Sequence, residues 1–243
     1  MYEYDFRVGF SQSDNDQKMT VTSIIDMFQD CSCFHSDDLG IGFDYLRPRN
    51  LVWIINYWEL EFNRFPRYGE KLTVGTFPYD FKGFFGYRNF YLRSYDEYIV
   101  KANSLWTLMD WSNMRPSRAT SEMIQGYELG SRLDMTYGSR KIALPDTSEV
   151  DITKPDPVRI SRHNLDSNGH VNNGQYVKIA YGYTKEDRDI SHMRVEYRKQ
   201  AHLGDMIYPV VYSGNDTVTV SLEDGAGEPY CIMELTYRQG NDQ

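Results

Sequence analysis

The chain is poor in cysteine and has no long apolar run. Three of its 243 residues are cysteines, Cys31, Cys33 and Cys231. This odd, sparse set argues against a disulfide scaffold and predicts a reducing, cytoplasmic location. No run of about 18 apolar residues occurs, so the sequence predicts no membrane span. The first residues, Met1–Asp5, lack the basic start and apolar stretch of a signal peptide.

Basic residues are outnumbered by acidic ones, and the net charge is -9. We do not expect such a chain to bind nucleic acid or an anionic membrane broadly. Aromatic residues, by contrast, make up 15% of the chain and include 20 tyrosines. Because tyrosine favours strands, the composition predicts a sheet-rich fold. A chain of 243 residues is long enough for two small fused domains.

The first half of the sequence predicts one helix followed by four strands. Apolar residues at i, i+4 and i+7, namely Ile24, Phe28 and Cys31, predict a helix from Val21 to about Phe34. Strand-like segments follow at residues 51–62, 71–77, 84–93 and 98–110. Bulky side chains of the first of these strands are expected in the core: Trp53, Tyr57, Trp58 and Phe62.

The second half repeats this plan after a weakly periodic stretch that contains Pro116 and Pro145. A helix is predicted to begin near Asn172, and strands are predicted at 191–200, 206–213, 217–222 and 229–238. In "WELEFNRFPRYGEKLTV" and "MRVEYRKQAHLGDMIYPV" a long strand runs into a basic turn, then Gly and an acid. The repeat predicts a duplicated α+β domain. Its predicted bounds are 1–112 and 151–243, with a linker at 113–150.

A polar loop at residues 164–173 leads directly into the second predicted helix. Asp166, Asn168 and His170 alternate in it. Backbone N–H groups at a helix start can hold a developing oxyanion, and a carboxylate or imidazole beside them can activate water. This is the minimum equipment for thioester hydrolysis. The alternative is an Asx-rich turn that only caps the helix.

The segment "DSNGHVNNGQYV" resembles the signature of the plant and bacterial acyl-acyl carrier protein (acyl-ACP) thioesterases. "VWIINYWELEFNRFPRYGEKLTVGTFP" and "KANSLWTLMDWSNMRPSR" resemble further parts of that family, and the likeness runs from about Phe6 to Arg238. It implies two tandem hotdog domains, each a long helix wrapped by an antiparallel sheet. It also implies hydrolysis of fatty acyl-ACP to free fatty acid, catalytic roles for Asp166, Asn168 and His170, and an acyl tunnel mainly in the first half.

The sequence departs from the family where a Glu-Cys pair is usual, because Gln200 and Ala201 stand there. An amide does not titrate usefully, so Gln200 is limited to hydrogen bonding. We therefore expect direct hydrolysis. Asp166 or His170 deprotonates a water, Asn168 positions it, and backbone N–H groups near Val171 and Asn172 hold the oxyanion. Glu196 is a substitute base if the register differs.

The implied partner is acyl carrier protein, itself acidic, so docking requires a local basic patch. Candidates in the second half are Arg159, Arg162, Lys178, Lys185, Arg188, Arg194, Arg198 and Lys199. The alternative is that these are ordinary solvated charges. The resemblance implies no cofactor and no metal, and it fits a monomer or a homodimer.

Other candidates are assigned structural roles. Cys31 and His35 stand at i, i+4, but a structural zinc site needs about four ligands. Cys33 as a nucleophile requires a base that the sequence does not show. We expect His163 and His202 at the surface or at strand ends, and His192 in packing. Three rival functions remain: an acyl-CoA thioesterase, a non-catalytic acyl-binding protein and, less favoured, a hotdog dehydratase.

Overall fold

A computed structural model describes residues 1–166, 169–184 and 189–239. The chain divides into two compact units, Met1–Tyr137 and Gly138–Gln243. Each unit contains one antiparallel sheet with a helix packed against it, which confirms the predicted α+β class. Among the described residues, no helix is both long and apolar enough to cross a membrane.

The first unit has five main strands in the spatial order β1-β3-β4-β5-β2, with antiparallel neighbours. Its strands are β1 (Tyr2–Arg7), β2 (Leu51–Phe62), β3 (Lys71–Lys82), β4 (Phe85–Ser94), β5 (Glu97–Asp110) and the short β6 (Arg115–Pro116) beside β5. Its helices are α1 (Val21–Asp38), α2 (Phe43–Leu46) and α3 (Ser121–Gln125).

The core of the first unit lies between α1 and the sheet. Phe28 of α1 packs against Trp58 of β2 and Phe90 of β4, with ring centroids 6.2 and 5.3 Å away. The register places Ser104 opposite Trp58 and Ala102 opposite Phe90, so small residues adjoin both large rings. Tyr57 and Phe62 are also buried, as predicted, whereas Trp53 is only half-buried.

The second unit repeats this topology, with the strand order β9-β12-β11-β10-β7 and β8 also on β10. Its elements are β7 (Asp151–Thr153), β8 (Val158–Arg159), α4 (Asn173–Tyr181), β9 (Ile190–Tyr197), β10 (Met206–Ser213), β11 (Thr217–Glu223) and β12 (Pro229–Tyr237). Tyr176, Val177 and Ala180 are the buried face of α4, which packs on β11 and β12. At nine residues, α4 is shorter than the long helix we expected.

The segment predicted as a linker, residues 113–150, is divided between the units and is anchored to both sheets. In the first unit, Asn89 Oδ1 accepts the Leu133 N–H (3.2 Å) and the Tyr137 hydroxyl (2.9 Å). In the second, Glu196 Oε2 accepts the Ile142 N–H at 2.9 Å. A short helix, α3, also lies within this segment.

Candidate active site

The loop before α4 is a closed turn built by local hydrogen bonds. A single turn of 3-10 helix, Arg162–Asn164, is followed by an antiparallel bridge between Leu165 and Val171. Asn172 then caps α4, because its Oδ1 accepts the Gly174 N–H at 2.8 Å. The loop therefore places Asp166 and His170 just before the first turn of the helix.

Asp166 and His170 occupy the two sides of this turn. The Asp166 N–H donates to the His170 carbonyl at 2.8 Å, and the His170 N–H donates to Asp166 Oδ1 at 3.1 Å. Gly169 adopts a φ of +77°, a left-handed conformation that favours glycine. The third predicted residue, Asn168, lies outside the described residues, as does Ser167.

The two N–H groups predicted to hold the oxyanion are engaged within the chain. The Val171 N–H donates to the Ala201 carbonyl at 3.4 Å, and the Asn172 N–H donates to the Asn164 carbonyl at 2.9 Å. The predicted role would require each of these bonds to be exchanged. Asn173, by contrast, begins α4, and its N–H has no acceptor among the described residues. Of the three N–H groups, it alone requires no exchange of a bond within the described residues.

Ala201 is hydrogen-bonded both to the loop, through Val171, and to α4, through Tyr176. Ala201 is fully buried, and its N–H donates to the Tyr176 hydroxyl at 2.7 Å. Burial raises the pKa of Tyr176 above its usual range, so this hydroxyl stays protonated. Gln200 is half-buried next to it. The substitute base considered from the sequence, Glu196, is instead occupied by Ile142 and by Arg198 Nη2 at 3.0 Å.

His202 lies beside His170, a contact that the sequence did not predict. The two rings meet edge to face, with centroids 5.6 Å apart and an interplanar angle of 71°. His202 is exposed, as expected, and its N–H donates to Asp205 Oδ2 at 2.8 Å. Its Nδ1 lies 3.8 Å from the same oxygen. The sequence feature at this position is the basic turn followed by Gly204-Asp205. That feature indicated the internal repeat but not the proximity of His202 to His170.

The turn that holds Asp166 and His170 occurs in the first unit with the same bonds. There the Asp14 N–H donates to the Lys18 carbonyl at 2.8 Å, and the Lys18 N–H donates to Asp14 Oδ1 at 2.8 Å. The residue before Lys18, Gln17, has a φ of 61°, matching Gly169. Thus an Asp in this turn shapes the backbone even in a unit that has no imidazole there.

Cys31, Cys33 and His35 lie in α1, far in sequence from the loop. Burial raises the pKa of Cys31 to about 12 and also raises that of Cys33, so neither thiol is activated. The His35 Nδ1 accepts a hydrogen bond from Arg88 Nη1 at 3.1 Å. Burial and the neighbouring Arg88 charge lower the pKa of His35 to about 4. Cys31 and His35 belong to the core, as the sequence indicated, and Cys33 is half-buried.

The candidate docking residues differ in their availability. Arg194, Arg198 and Lys199 form ion pairs with Glu234, Glu196 and Asp224 within the second unit. Lys185 and Arg188 lie outside the described residues. Arg159, Arg162 and Lys178 are exposed.

Comparison with solved structures shows the fold. An acyl-ACP thioesterase from Bacteroides thetaiotaomicron superposes with a TM-score of 0.87 at 19% identity, covering 97% of each chain. The 12:0-ACP thioesterase from Umbellularia californica gives a TM-score of 0.82 at 19% identity, covering 98% of this chain and 96% of that one. These likenesses confirm the predicted fold of two tandem hotdog domains.

Comparison of sequences shows the family. The acyl-[acyl-carrier-protein] hydrolase FATB3, chloroplastic, of Cuphea viscosissima is 25% identical over 76% of this chain and 48% of its own length. The oleoyl-acyl carrier protein thioesterase 2, chloroplastic, of Arabidopsis thaliana is 22% identical over 90% of this chain and 65% of its own length. The chain thus spans about half to two thirds of these relatives. The family models described as "Acyl-ACP thioesterase N-terminal domain" and "Acyl-ACP thioesterase C-terminal domain" match residues 1–127 and 147–233, so the chain belongs to the acyl-ACP thioesterase family.

Proposed function

We propose that the protein is a thioesterase that hydrolyses fatty acyl-ACP to free fatty acid and carrier protein. The observation that carries the proposal is the closed turn of Asp166 and His170 at the start of α4, in a chain of this family. Gln200 and Ala201 supply neither a carboxylate nor a thiolate. The reaction is therefore direct attack by water on the thioester carbonyl.

Within this mechanism His170 is the better candidate for the base. The Asp166 carboxylate accepts the backbone N–H of His170, the same bond that Asp14 makes to Lys18 in the first unit. That repetition supports a role for Asp166 in shaping the turn. An imidazole is suited to taking a proton from water near neutral pH. Asn168 is proposed to position the water, on the strength of the family resemblance.

The oxyanion requires donors aimed at the position where charge develops. The N–H of Asn173, in the first turn of α4, is proposed for this role because it has no acceptor among the described residues. The positive end of the helix dipole adds to the stabilisation. Val171 or Asn172 can contribute only by giving up a carbonyl partner.

The substrate is proposed to arrive on acyl carrier protein, an acidic partner. Of the candidate docking residues, Arg159, Arg162 and Lys178 are exposed and lie in the described part of the second unit. Docking through such charges would weaken as salt is added, because exposed charges are screened. The cytoplasmic location and the choice between monomer and homodimer stay predictions.

The test compares purified wild-type protein with His170→Ala on a ladder of fatty acyl-ACP substrates, with the matching acyl-CoA esters alongside. We expect His170→Ala to lose at least about a hundred-fold in fatty acid release, the scale of a general base. His163→Ala is the matched control. This exposed imidazole lies seven residues before His170 and hydrogen-bonds to Ser161 Oγ at 2.8 Å. It should keep wild-type activity.

Three results would redirect the proposal. A strong preference of the wild type for acyl-CoA would favour a CoA thioesterase with the same site. Tight acyl binding without release would favour the acyl-binding protein and make Gln200 and Ala201 marks of lost activity. Full activity of His170→Ala would move the base elsewhere.

A further inference from the structure

Two imidazoles meet at the candidate site, and a carboxylate stands behind one of them. His170 contacts His202 edge to face at a centroid distance of 5.6 Å, and His202 Nδ1 lies 3.8 Å from Asp205 Oδ2. Asp205 also accepts the His202 N–H at 2.8 Å, which fixes the turn that carries the ring. The order in space is therefore carboxylate, imidazole, imidazole.

The first unit shows what this arrangement looks like without imidazoles. Lys18 and Arg67 form an isolated antiparallel bridge there. The Arg67 N–H donates to Glu70 Oε2 at 3.0 Å, as the His202 N–H does to Asp205. Gly69 and Gly204, one residue before each acid, both have positive φ angles, of 79° and 91°.

The backbone connection between the two turns is repeated as well. The Met19 N–H donates to the Pro66 carbonyl at 2.7 Å, as the Val171 N–H donates to the Ala201 carbonyl at 3.4 Å. Lys18 therefore corresponds to His170, and Arg67 corresponds to His202. A lysine and an arginine hold their protons near neutral pH, whereas an imidazole can accept one there. The two histidines, which stand where the first unit has Lys18 and Arg67, are in the unit that carries the candidate site.

We propose that His202 is the proton-sharing partner of His170, and that Asp205 behind it supplies the counter-charge that Gln200 cannot. The inference rests on the proposed function and names a further residue for it. A base that takes a proton is effective when a third group orients it and offsets its new charge. Here His202 contacts the base and the Asp205 carboxylate offsets the charge.

The chemical step balances without a cofactor. A water proton moves to the imidazole of His170 while the water oxygen bonds to the thioester carbon, and the carbonyl π electrons move to oxygen. The electron pair on the oxyanion then re-forms the carbonyl as the C–S bond breaks, which gives the carboxylic acid. The C–S electron pair leaves on sulfur, and the proton returns from the imidazole pair to that sulfur. In between, the added positive charge lies on the His170–His202 pair, close to the Asp205 carboxylate.

The experiment measures kcat and KM on one fatty acyl-ACP for the wild type, His202→Ala, His202→Phe, Asp205→Asn and the control His163→Ala. We expect His202→Ala and His202→Phe to lower kcat by roughly ten- to a hundred-fold, the scale of a misplaced catalytic group, with KM within about two-fold. Asp205→Asn should lower kcat less than the His202 variants do, because the amide oxygen of asparagine can still accept the backbone N–H of His202. Added imidazole should restore part of the activity of His202→Ala alone.

The phenylalanine variant separates chemistry from packing, because its ring fills the contact but cannot accept a proton. The His202 side chain is 64% exposed, so thermal melting should be unchanged in either variant. Near-wild-type kcat in His202→Phe, or a loss in His202→Ala below about two-fold, would overturn the inference while leaving the thioesterase proposal intact. Absence of turnover by the wild type would overturn both.

Discussion

Acidification is expected to destabilise the first unit through one buried imidazole, that of His35. Its side chain is 5% exposed, it stacks on Tyr2, and its Nδ1 accepts a hydrogen bond from the buried Arg88. A proton on this ring would be added to a desolvated position beside a guanidinium. Burial first, and then the Arg88 charge, lower the pKa of His35 to about 4.

The size and sign of the effect follow from that value. Above pH about 6.5, the ordinary histidine pKa, the ring is neutral in both folded and unfolded chains and has no effect. Between about 6.5 and 4 only the unfolded chain binds the proton, so the free energy of unfolding falls as the pH falls. At about 1.4 kcal/mol per pKa unit, the full loss from His35 is roughly 3 kcal/mol by pH 4.

The assay compares wild type with His35→Gln, which retains an acceptor for Arg88 but does not titrate. Urea unfolding followed by tryptophan fluorescence reports on the first unit, because all four tryptophans, at 53, 58, 106 and 111, lie in it. Between pH 7 and 4 the wild type should lose roughly 2 to 3 kcal/mol more than His35→Gln. Parallel pH curves for the two proteins would refute the reasoning.

Three further predictions concern the turns and the close packing. Asp14→Ala and Asp166→Ala each remove an acceptor for a backbone N–H, so each should lower the free energy of unfolding by about 1 kcal/mol. Only Asp166→Ala should also lower fatty acid release, and equal activities of the two variants would contradict this. Asn172→Ala removes the cap of α4 and should lower the free energy of unfolding, measured by thermal melting, by about 1 kcal/mol. An unchanged melting curve would count against a stabilising role for that cap. Gly75→Ala would place a Cβ atom only 2.1 Å from the Tyr91 ring and should destabilise the first unit by about 1 to 3 kcal/mol or more in the fluorescence assay; a neutral result would mean that the ring moves freely.

The larger elements were predictable because their apolar patterns are strong and local. The face formed by Ile24, Phe28 and Cys31 predicted α1, and all three are buried. Strand β1 was missed because its alternating half-buried and exposed residues, including Glu3 and Asp5, make a polar edge strand with a weak apolar signal. Its pairing with β3 is a tertiary contact that no local pattern records.

The site was predictable in its loop but not in its neighbours. Asp166 and His170 are close in sequence, and the helix that follows them marks their position. His202 reaches His170 through a turn 32 residues later, so its proximity depends on how β9 and β10 are joined. The anchoring of the predicted linker was likewise hidden, because it depends on single polar side chains, Asn89 and Glu196, from distant strands.

The repeated turn means that the backbone frame and the chemistry are separable. The first unit retains the frame around Lys18 and Arg67 with nearly the same hydrogen bonds, and the second differs in the side chains mounted on it. For protein engineering, the first unit therefore offers the same backbone frame without the two histidines. Replacing Lys18 and Arg67 with histidine would show how much thioester hydrolysis two imidazoles confer on that frame by themselves.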